Sequence, residues 1–280
     1  MSLAQRLVLK YVRTKFKILS SISKRKAAEK AFQLFCTPQS RDKKKFPPVF
    51  EKAEKLQFPL EGNNVRGYRW NHPSEKKALI LHGFESSVTN FDSYIKPLIK
   101  KGYEVLIFDA PAHGRSSGKM ITVITYKKMV QYIWNHFGPI HAFITHSFGG
   151  LALSLALEEI SHDATTKVVL IAPASETKTA IDNFFKLLRL DEGVRKEFEQ
   201  LIRNMGEKPS GWYSIARAAE HIKAQVLFLQ DKDDDITPLS DVKPIINKNY
   251  PNFHFVISEG LGHGRIYRDT QSLKRVIDFL

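Results

Sequence analysis

The stretch that most constrains this chain is Thr145-His146-Ser147-Phe148-Gly149, which follows an apolar run at residues 140–144 and precedes a helical pattern at residues 150–160. This order predicts a strand, a sharp turn and a helix, with Ser147 at the tip of the turn. Such a turn holds a serine in a strained conformation that exposes its Oγ, and it aims the next N–H at developing negative charge. Ser147 is therefore a candidate nucleophile, although Thr145 stands where the Gly-x-Ser-x-Gly pattern has its first glycine.

Strand and helix patterns alternate on both sides of this turn. The predicted strands lie at residues 55–60, 65–71, 77–81, 103–108, 140–144, 167–171, 225–229 and 253–257. Strands that alternate with helices predict βαβ units and a mostly parallel sheet. Because catalytic groups gather at the carboxyl ends of parallel strands, the loops after these strands should share one edge of the sheet.

Two of those loops carry the partners that a nucleophilic serine needs. Acyl transfer requires a base for the hydroxyl proton, an anion that orients the base, and donors for the oxyanion. An acidic loop at residues 231–238 follows the seventh strand, and the glycine-flanked His263 follows the eighth. The chain order is thus serine, acid, histidine.

Over residues 54–280 these motifs resemble the α/β-hydrolase fold: a mostly parallel eight-stranded sheet flanked by helices, here with a small helical cap and an N-terminal helical extension. The resemblance assigns five site residues, namely Ser147 as nucleophile, His263 as general base and acid, Asp234 as the acid that orients His263, and the backbone N–H groups of Phe84 and Phe148 as the oxyanion hole. Asp233 and Asp235 stay open as alternatives to Asp234. Asp231 stands where this loop often has a glycine.

Other polar residues near these motifs have structural interpretations. His82 and His146 lie inside motifs where the family uses histidine to shape loops, and Asp109 and His113 are expected to hold the loop after the fourth strand. No metal is expected, because residues 231–235 lack the glycine and glutamate of a calcium loop. No cofactor is expected either, since no glycine-rich phosphate loop is present.

The alternation breaks at residues 175–220, where large apolar residues lie on helical faces. We interpret this insertion as a cap over the Ser147 pocket, with extra helical packing as the alternative. The expected domains are a basic extension at 1–45, the first part of the core at 46–174, the cap at 175–220 and the second part of the core at 221–280. The predicted substrate-pocket residues are Phe184, Phe185, Leu188, Phe198 and Trp212.

The net charge of +14 is concentrated at the N-terminal end, where residues 1–45 carry thirteen Lys and Arg against two acidic residues. Residues 2–23 predict a helix with a basic stripe and a wide apolar surface, and residues 41–48 predict a linker. We expect the extension to pack on the rest of the chain with its basic edge in solvent, and weak contact to an anionic membrane surface through residues 1–30 is a secondary property. The remaining residues carry only +3, which argues against a nucleic-acid partner.

The resemblance implies a serine hydrolase that cleaves a carboxylic ester or thioester through an acyl-enzyme, and the large apolar residues of the insertion favour a mostly apolar acyl group. Epoxide hydrolases and haloalkane dehalogenases of the same fold have an aspartate where Ser147 stands. The alternatives are a non-catalytic binding protein on a hydrolase scaffold, and a peptidase or amidase of the same fold. The single Cys36 and the lack of a signal-peptide pattern predict a cytoplasmic protein. The sequence does not indicate an oligomeric state.

Overall fold

We analysed a computed structural model, which describes residues 3–41 and 45–280. Residues 42–44 of the predicted linker lie outside the described residues. The helices are α1 Leu3–Ile22, α2 Lys24–Phe35, α3 Asp92–Lys100, α4 Val123–Phe137, α5 Phe148–Ala156, α6 Thr177–Leu188, α7 Glu192–Gly206, α8 Ile215–Ala218, α9 Leu239–Asn247, α10 Gly262–Arg265 and α11 Thr270–Phe279. The strands are β1 Glu54–Leu60, β2 Asn63–Trp70, β3 Lys76–Leu81, β4 Tyr103–Asp109, β5 Ala142–His146, β6 Lys167–Ile171, β7 Gln225–Asp231 and β8 Phe253–Ser258.

The chain forms two compact units. A helical unit consists of Met1–Thr37 and Glu176–Tyr213, and a sheet unit consists of Pro38–Ser175 and Ser214–Leu280. Within residues 3–41 and 45–280, no helix has the length and apolar content to cross a membrane.

The sheet unit holds all eight described strands in one sheet, in the order β1-β2-β4-β3-β5-β6-β7-β8. The β1–β2 and β2–β4 pairs are antiparallel, and every pair from β4–β3 to β7–β8 is parallel. This confirms the predicted fold. The carboxyl ends of β3, β5, β7 and β8 therefore lie along one edge, as the βαβ argument requires.

One turn differs from its prediction. Leu60 pairs with Asn63, so the hairpin turn contains only Glu61 and Gly62, both with positive φ of 46° and 75°. The sequence placed Asn63 and Asn64 in the turn as well. A two-residue turn with two positive φ angles matches the right-handed twist of the strands better than a longer turn, so the strands extend further than predicted.

The central strands of the sheet unit are apolar and fully buried because helices cover both faces of a parallel sheet. Every residue of β4 is buried, and so are Ala78 to Leu81 of β3. From α3, the buried Tyr94 donates a hydrogen bond of 2.7 Å to the carbonyl of Tyr267. This rigid layer fixes the positions from which the loops at the sheet edge begin.

The helical unit joins the N-terminal extension to the insertion. The rings of Phe32 and Phe35 lie 5.5 and 5.8 Å from the ring of Phe198 on α7, and Phe35 lies 5.2 Å from Phe184 on α6. At the other end, Asp191 accepts hydrogen bonds from Ser20 at 2.5 Å and from Lys24 at 2.9 Å. The sequence analysis expected the extension to pack on the rest of the chain, which includes this insertion. The structure packs α2 on the insertion helices, because both segments present aromatic faces that can cover each other.

Candidate active site

Ser147 lies at a strained turn between β5 and α5. Its φ of 52° is in the left-handed region, which a non-glycine residue adopts at a cost. The turn is held from both sides, since the Ser147 N–H donates to the carbonyl of Ile171 at 3.1 Å and the Ser147 carbonyl accepts from Ala174 at 3.0 Å. The surrounding backbone therefore fixes the direction of the Ser147 hydroxyl.

The structure explains how the turn tolerates Thr145 in place of a glycine. The Thr145 hydroxyl donates to the carbonyl of Val169 on β6 at 3.0 Å, so the buried side chain is satisfied. The close approaches fall on two other residues: a Cβ at Gly149 would lie 2.6 Å from the Leu81 carbonyl oxygen, and a Cβ at Gly150 would lie 2.7 Å from Pro173. These two glycines supply the room that the turn needs.

Ser147, His263 and Asp234 form one hydrogen-bonded chain. The Ser147 Oγ lies 3.0 Å from Nε2 of His263, and Nδ1 of His263 lies 2.8 Å from Oδ2 of Asp234. Ser147 is 8% exposed and Asp234 is 3% exposed, so the chain is shielded from bulk water yet reachable at the serine. The structure thus brings together three residues that are far apart in the sequence.

Asp234 is held as a carboxylate. Its Oδ1 accepts from the N–H groups of Ile236 at 2.9 Å and Thr237 at 2.8 Å, and its Oδ2 also accepts from the Thr237 hydroxyl at 2.8 Å. Burial alone would raise the pKa of Asp234. Hydrogen bonds from His263 and Thr237 outweigh burial, so the pKa lies below its usual range. Asp234 is therefore charged at neutral pH and can stabilise a proton on His263.

The neighbouring aspartates have other partners. Asp231 accepts from the N–H groups of Gly262 at 3.0 Å and Leu261 at 3.2 Å, and Asp233 accepts from the Gly260 N–H at 2.8 Å. Asp235 is exposed. Of the four carboxylates in this loop, Asp234 is the one within hydrogen-bond distance of the His263 ring, while Asp231 and Asp233 fix the backbone that carries His263.

His146 contributes a contact that the sequence analysis missed. Its Nε2 lies 3.1 Å from the backbone carbonyl of His263, and its ring centroid lies 4.7 Å from that of His263. Burial, with the nearby His263, lowers the pKa of His146 to about 3, so the ring is neutral and its Nε2–H donates to that carbonyl. No pattern in the sequence near His146 points to a residue 117 positions away.

The loop after β3 approaches Ser147 closely. A Cβ at Gly83 would lie 2.9 Å from the Ser147 Cβ and 3.0 Å from Nδ1 of His146. The rings of Phe84 and Phe148 lie 5.9 Å apart, and both side chains are half-buried. Neither the Phe84 N–H nor the Phe148 N–H has an acceptor among residues 3–41 and 45–280. Two unused backbone donors thus belong to segments that adjoin the serine.

Two buried histidines and a carboxylate hold this loop in place. Nε2 of His82 accepts from the Ala110 N–H at 3.0 Å, and Nε2 of His113 accepts from the Glu85 N–H at 3.1 Å. Asp109 accepts from the Val88 N–H at 3.0 Å. Burial lowers the pKa of His82 to about 4 and, together with the nearby His82, that of His113 to about 3, so both rings are neutral. These side chains position loops and do not reach Ser147.

The five predicted pocket residues all lie in the helical unit. Phe198 is fully buried and Phe185 and Leu188 are 5% exposed, and Phe184 and Phe185 pack against the Phe198 ring. The Lys208 ammonium lies 5.9 Å from the centroid of the Trp212 ring. These side chains are thus used in the packing of the helical unit, and their selection of an acyl group stays a prediction. No group of three or more His, Cys, Asp or Glu in the described part of the chain could hold a metal ion.

Comparison with known proteins gives consistent matches. Residues 72–223 match the family model Hydrolase_4, described as serine aminopeptidase, S33. The chain is 26% identical to the uncharacterised hydrolase YugF of Bacillus subtilis (strain 168) over 202 residues, which cover 65% of this chain and 73% of YugF. Among solved structures, the Pyrococcus furiosus esterase PF2001 has a TM-score of 0.65 and 21% identity, with 88% of this chain and 97% of the esterase covered.

Proposed function

Because this chain belongs to the serine aminopeptidase S33 (Hydrolase_4) family of α/β hydrolases, we propose that it cleaves a carboxylic ester or thioester of a mostly apolar acyl group through a covalent acyl-serine. The observation that carries the proposal is the hydrogen-bonded chain from the Ser147 Oγ through the His263 ring to the Asp234 carboxylate. The nucleophile and the orienting anion each lie within hydrogen-bond distance of the base, at its two ring nitrogens.

In the proposed first half-reaction, the Ser147 Oγ attacks the acyl carbon and Nε2 of His263 takes the hydroxyl proton. The new imidazolium is stabilised by the Asp234 carboxylate at Nδ1. When the tetrahedral intermediate collapses, Nε2 gives its proton to the departing alcohol or thiol. The acyl group remains on Ser147. In the second half-reaction a water molecule attacks the acyl carbon and its proton goes to Nε2. Nε2 then returns that proton to the Ser147 Oγ as the bond between Oγ and the acyl carbon breaks, and a carboxylic acid is released.

The developing oxyanion needs donors that are aimed before the reaction begins. We assign this role to the backbone N–H groups of Phe84 and Phe148. Their lack of acceptors in the described residues supports the assignment, because such donors in a packed structure are usually satisfied. The loss of one such donor typically costs a factor of about 10²–10³ in kcat.

An apolar acyl group is supported by the side chains on those same two residues. The rings of Phe84 and Phe148 lie edge to face at 5.9 Å, and the Tyr126 ring lies 5.5 Å from Phe148. A chain of methylenes buried against such rings would gain about 0.8 kcal/mol for each methylene.

The direct test is hydrolysis of p-nitrophenyl esters of increasing acyl length by purified wild type and by Ser147→Ala. Wild-type kcat/KM should rise over several added carbons. Ser147→Ala should lose at least about 10³-fold, since removal of a triad member costs several orders of magnitude. Ser154→Ala is a matched control, because that hydroxyl donates to the helix carbonyl of Gly150, and it should change activity less than about threefold. Residual Ser147→Ala activity above a hundredth of wild type would contradict the assignment.

Two other functions give different results in the same assay. The family description favours an aminoacyl amide as the second candidate, and hydrolysis of aminoacyl p-nitroanilides faster than that of every ester would establish it. A non-catalytic binding protein on this scaffold would hydrolyse neither class of substrate. The strained turn at Ser147 and its hydrogen bond to His263 argue against such a protein, because a binding protein does not need an activated serine.

A further inference from the structure

The α1 helix carries an exposed apolar surface. Among the described residues, nine large hydrophobic side chains are exposed, and five of them lie on this one helix. At about 100° per residue they fall within an arc of about 100° on the helix. The five are Leu7, Val8, Tyr11, Ile18 and Ile22, each at least 58% exposed.

A row of cations runs along one edge of this apolar arc. Arg6, Lys10 and Lys17 project together from α1, are exposed, and make no ion pair with a carboxylate in residues 3–41 or 45–280. The whole helix contains five Lys and Arg and no acidic residue. Lys15 interrupts the apolar arc, but its long aliphatic stem can lie along apolar surface while the ammonium reaches outward.

The opposite face of α1 is already in use. Phe16 and Ser20 are buried, Ser20 donates to Asp191, and the Arg13 Nε donates to the Leu187 carbonyl at 2.8 Å. The helix is therefore held within its unit by one face. Its exposed apolar arc is a fixed feature of the folded surface and not the result of an unattached segment.

We propose that α1 docks the protein on the surface of anionic phospholipid bilayers. In this arrangement the apolar arc enters the boundary between head groups and acyl chains, and the cationic row pairs with lipid phosphates. An amphipathic helix with basic residues beside its apolar face binds such interfaces in this orientation. The docking does not depend on the proposed hydrolase activity.

Charge favours a lipid surface over a second copy of this chain. A symmetric pairing of two α1 helices through their apolar arcs would bring the cationic rows of both helices close together without one acidic residue from either helix. Lipid phosphates instead neutralise those cations. The whole helical unit, Met1–Thr37 with Glu176–Tyr213, contains sixteen Lys and Arg against eight Asp and Glu, which adds to the attraction.

The first experiment is co-sedimentation of the full chain with vesicles of phosphatidylcholine and phosphatidylglycerol in equal parts, and with vesicles of phosphatidylcholine alone. We expect strong binding to the anionic vesicles, much weaker binding to the neutral ones, and a decrease with added salt. Equal binding to both vesicle types, or binding to neither, would overturn the proposal.

Two groups of variants separate the apolar and cationic contributions. The triple variant Leu7→Gln/Tyr11→Gln/Ile18→Gln should weaken partitioning into vesicles by at least about 100-fold, since each substitution removes apolar surface that the bilayer would bury. Loss of the cationic row should weaken partitioning into anionic vesicles by about fivefold for each residue, or about 100-fold in total. The cationic variant is Arg6→Gln/Lys10→Gln/Lys17→Gln, and its matched control on the sheet unit is Lys96→Gln/Lys100→Gln/Lys243→Gln.

The control variant should bind nearly as well as wild type, because it loses the same net charge as the cationic variant but keeps the cationic row on α1. Equal losses in both charge variants would show a nonspecific effect of net charge and would refute the role of α1. A wild-type dimer that dissociates in the apolar triple variant, without vesicle binding by either protein, would identify a second copy as the occupant.

A site-specific probe reports on the helix without removing the whole surface. Cys36 is buried, so a cysteine introduced by Tyr11→Cys is the one that reacts with an environment-sensitive fluorophore. Anionic vesicles should shift its emission to shorter wavelength. The same fluorophore on Asn247→Cys of the sheet unit should not shift. No shift at position 11 would contradict insertion of the apolar arc.

Discussion

Replacement of Asp234 by asparagine changes one atom, and the structure predicts how the new side chain would orient. Oδ1 of Asp234 accepts from two backbone N–H groups, those of Ile236 and Thr237. In Asp234→Asn the amide oxygen should keep that position, because an NH2 group there would face two donors. The NH2 would then take the place of Oδ2, 2.8 Å from Nδ1 of His263.

An NH2 group at that position donates to Nδ1 and so moves the ring proton to Nε2. A His263 ring with a proton on Nε2 cannot accept the proton of Ser147, which lies 3.0 Å away. The wrong tautomer of a serine-activating histidine lowers kcat by a factor of about 10⁴. We expect a loss of about 10³–10⁴ in kcat, with little change in KM, because Asp234 does not touch the substrate.

The assay is steady-state hydrolysis of a short p-nitrophenyl ester, with circular dichroism and thermal unfolding to exclude misfolding. Matched controls are Asp233→Asn, which alters only a contact to the Gly260 N–H, and the exposed Asp235→Asn. Both should retain activity within about tenfold of wild type. If Asp235→Asn or Asp233→Asn were the most damaging of the three, the assignment of the orienting acid would be wrong.

Three further predictions concern the helical unit. Asp191→Ala should lower the free energy of unfolding by about 1 kcal/mol, because the half-exposed carboxylate caps the Val194 N–H at 3.1 Å and pairs with Lys24. Hydrogen bonds from Lys24 and Ser20 lower the pKa of Asp191 to about 2. The stabilisation of the folded state by the Asp191 carboxylate is therefore complete above the usual carboxyl pKa and is lost as the pH falls toward 2. Hydrogen exchange of α7 measures this loss. Burial raises the pKa of Cys36 to about 12, so a thiol reagent should label it only after denaturation, and rapid labelling of the native protein would contradict this. Phe198→Ala should destabilise the protein by about 3–5 kcal/mol, because the fully buried ring packs among four aromatic rings, and a cost under about 1 kcal/mol in thermal unfolding would refute that packing.

The strands of the sheet could be predicted because each one is marked by a pattern within a few consecutive residues. Parallel strands covered on both faces are apolar runs bounded by turn residues, so β6 at Lys167–Ile171 has the predicted bounds. The serine, acid and histidine could be placed at one edge because parallel strands end together. The exact hairpin turn at Glu61-Gly62 was missed, because turn type depends on strand register.

The partner of the N-terminal extension could not be predicted in the same way. The helical faces of α2 and α7 are visible in the sequence, but an apolar face does not specify which other face covers it. The contact between the rings of Phe32 and Phe198, 166 positions apart, is a tertiary contact that local sequence does not determine. The bond from His146 to the His263 carbonyl is invisible for the same reason, since it joins a side chain to a distant backbone atom.

The central claim is that Ser147 is a nucleophile activated by His263. A fluorophosphonate reacts covalently with a serine only when its hydroxyl is activated, so peptide mass mapping after brief labelling tests this claim directly. The protein should carry one adduct, on the peptide that contains Ser147, and His263→Ala should label at least about 10³-fold more slowly. An adduct on a different serine, or equally fast labelling of Ser147 in His263→Ala, would contradict it.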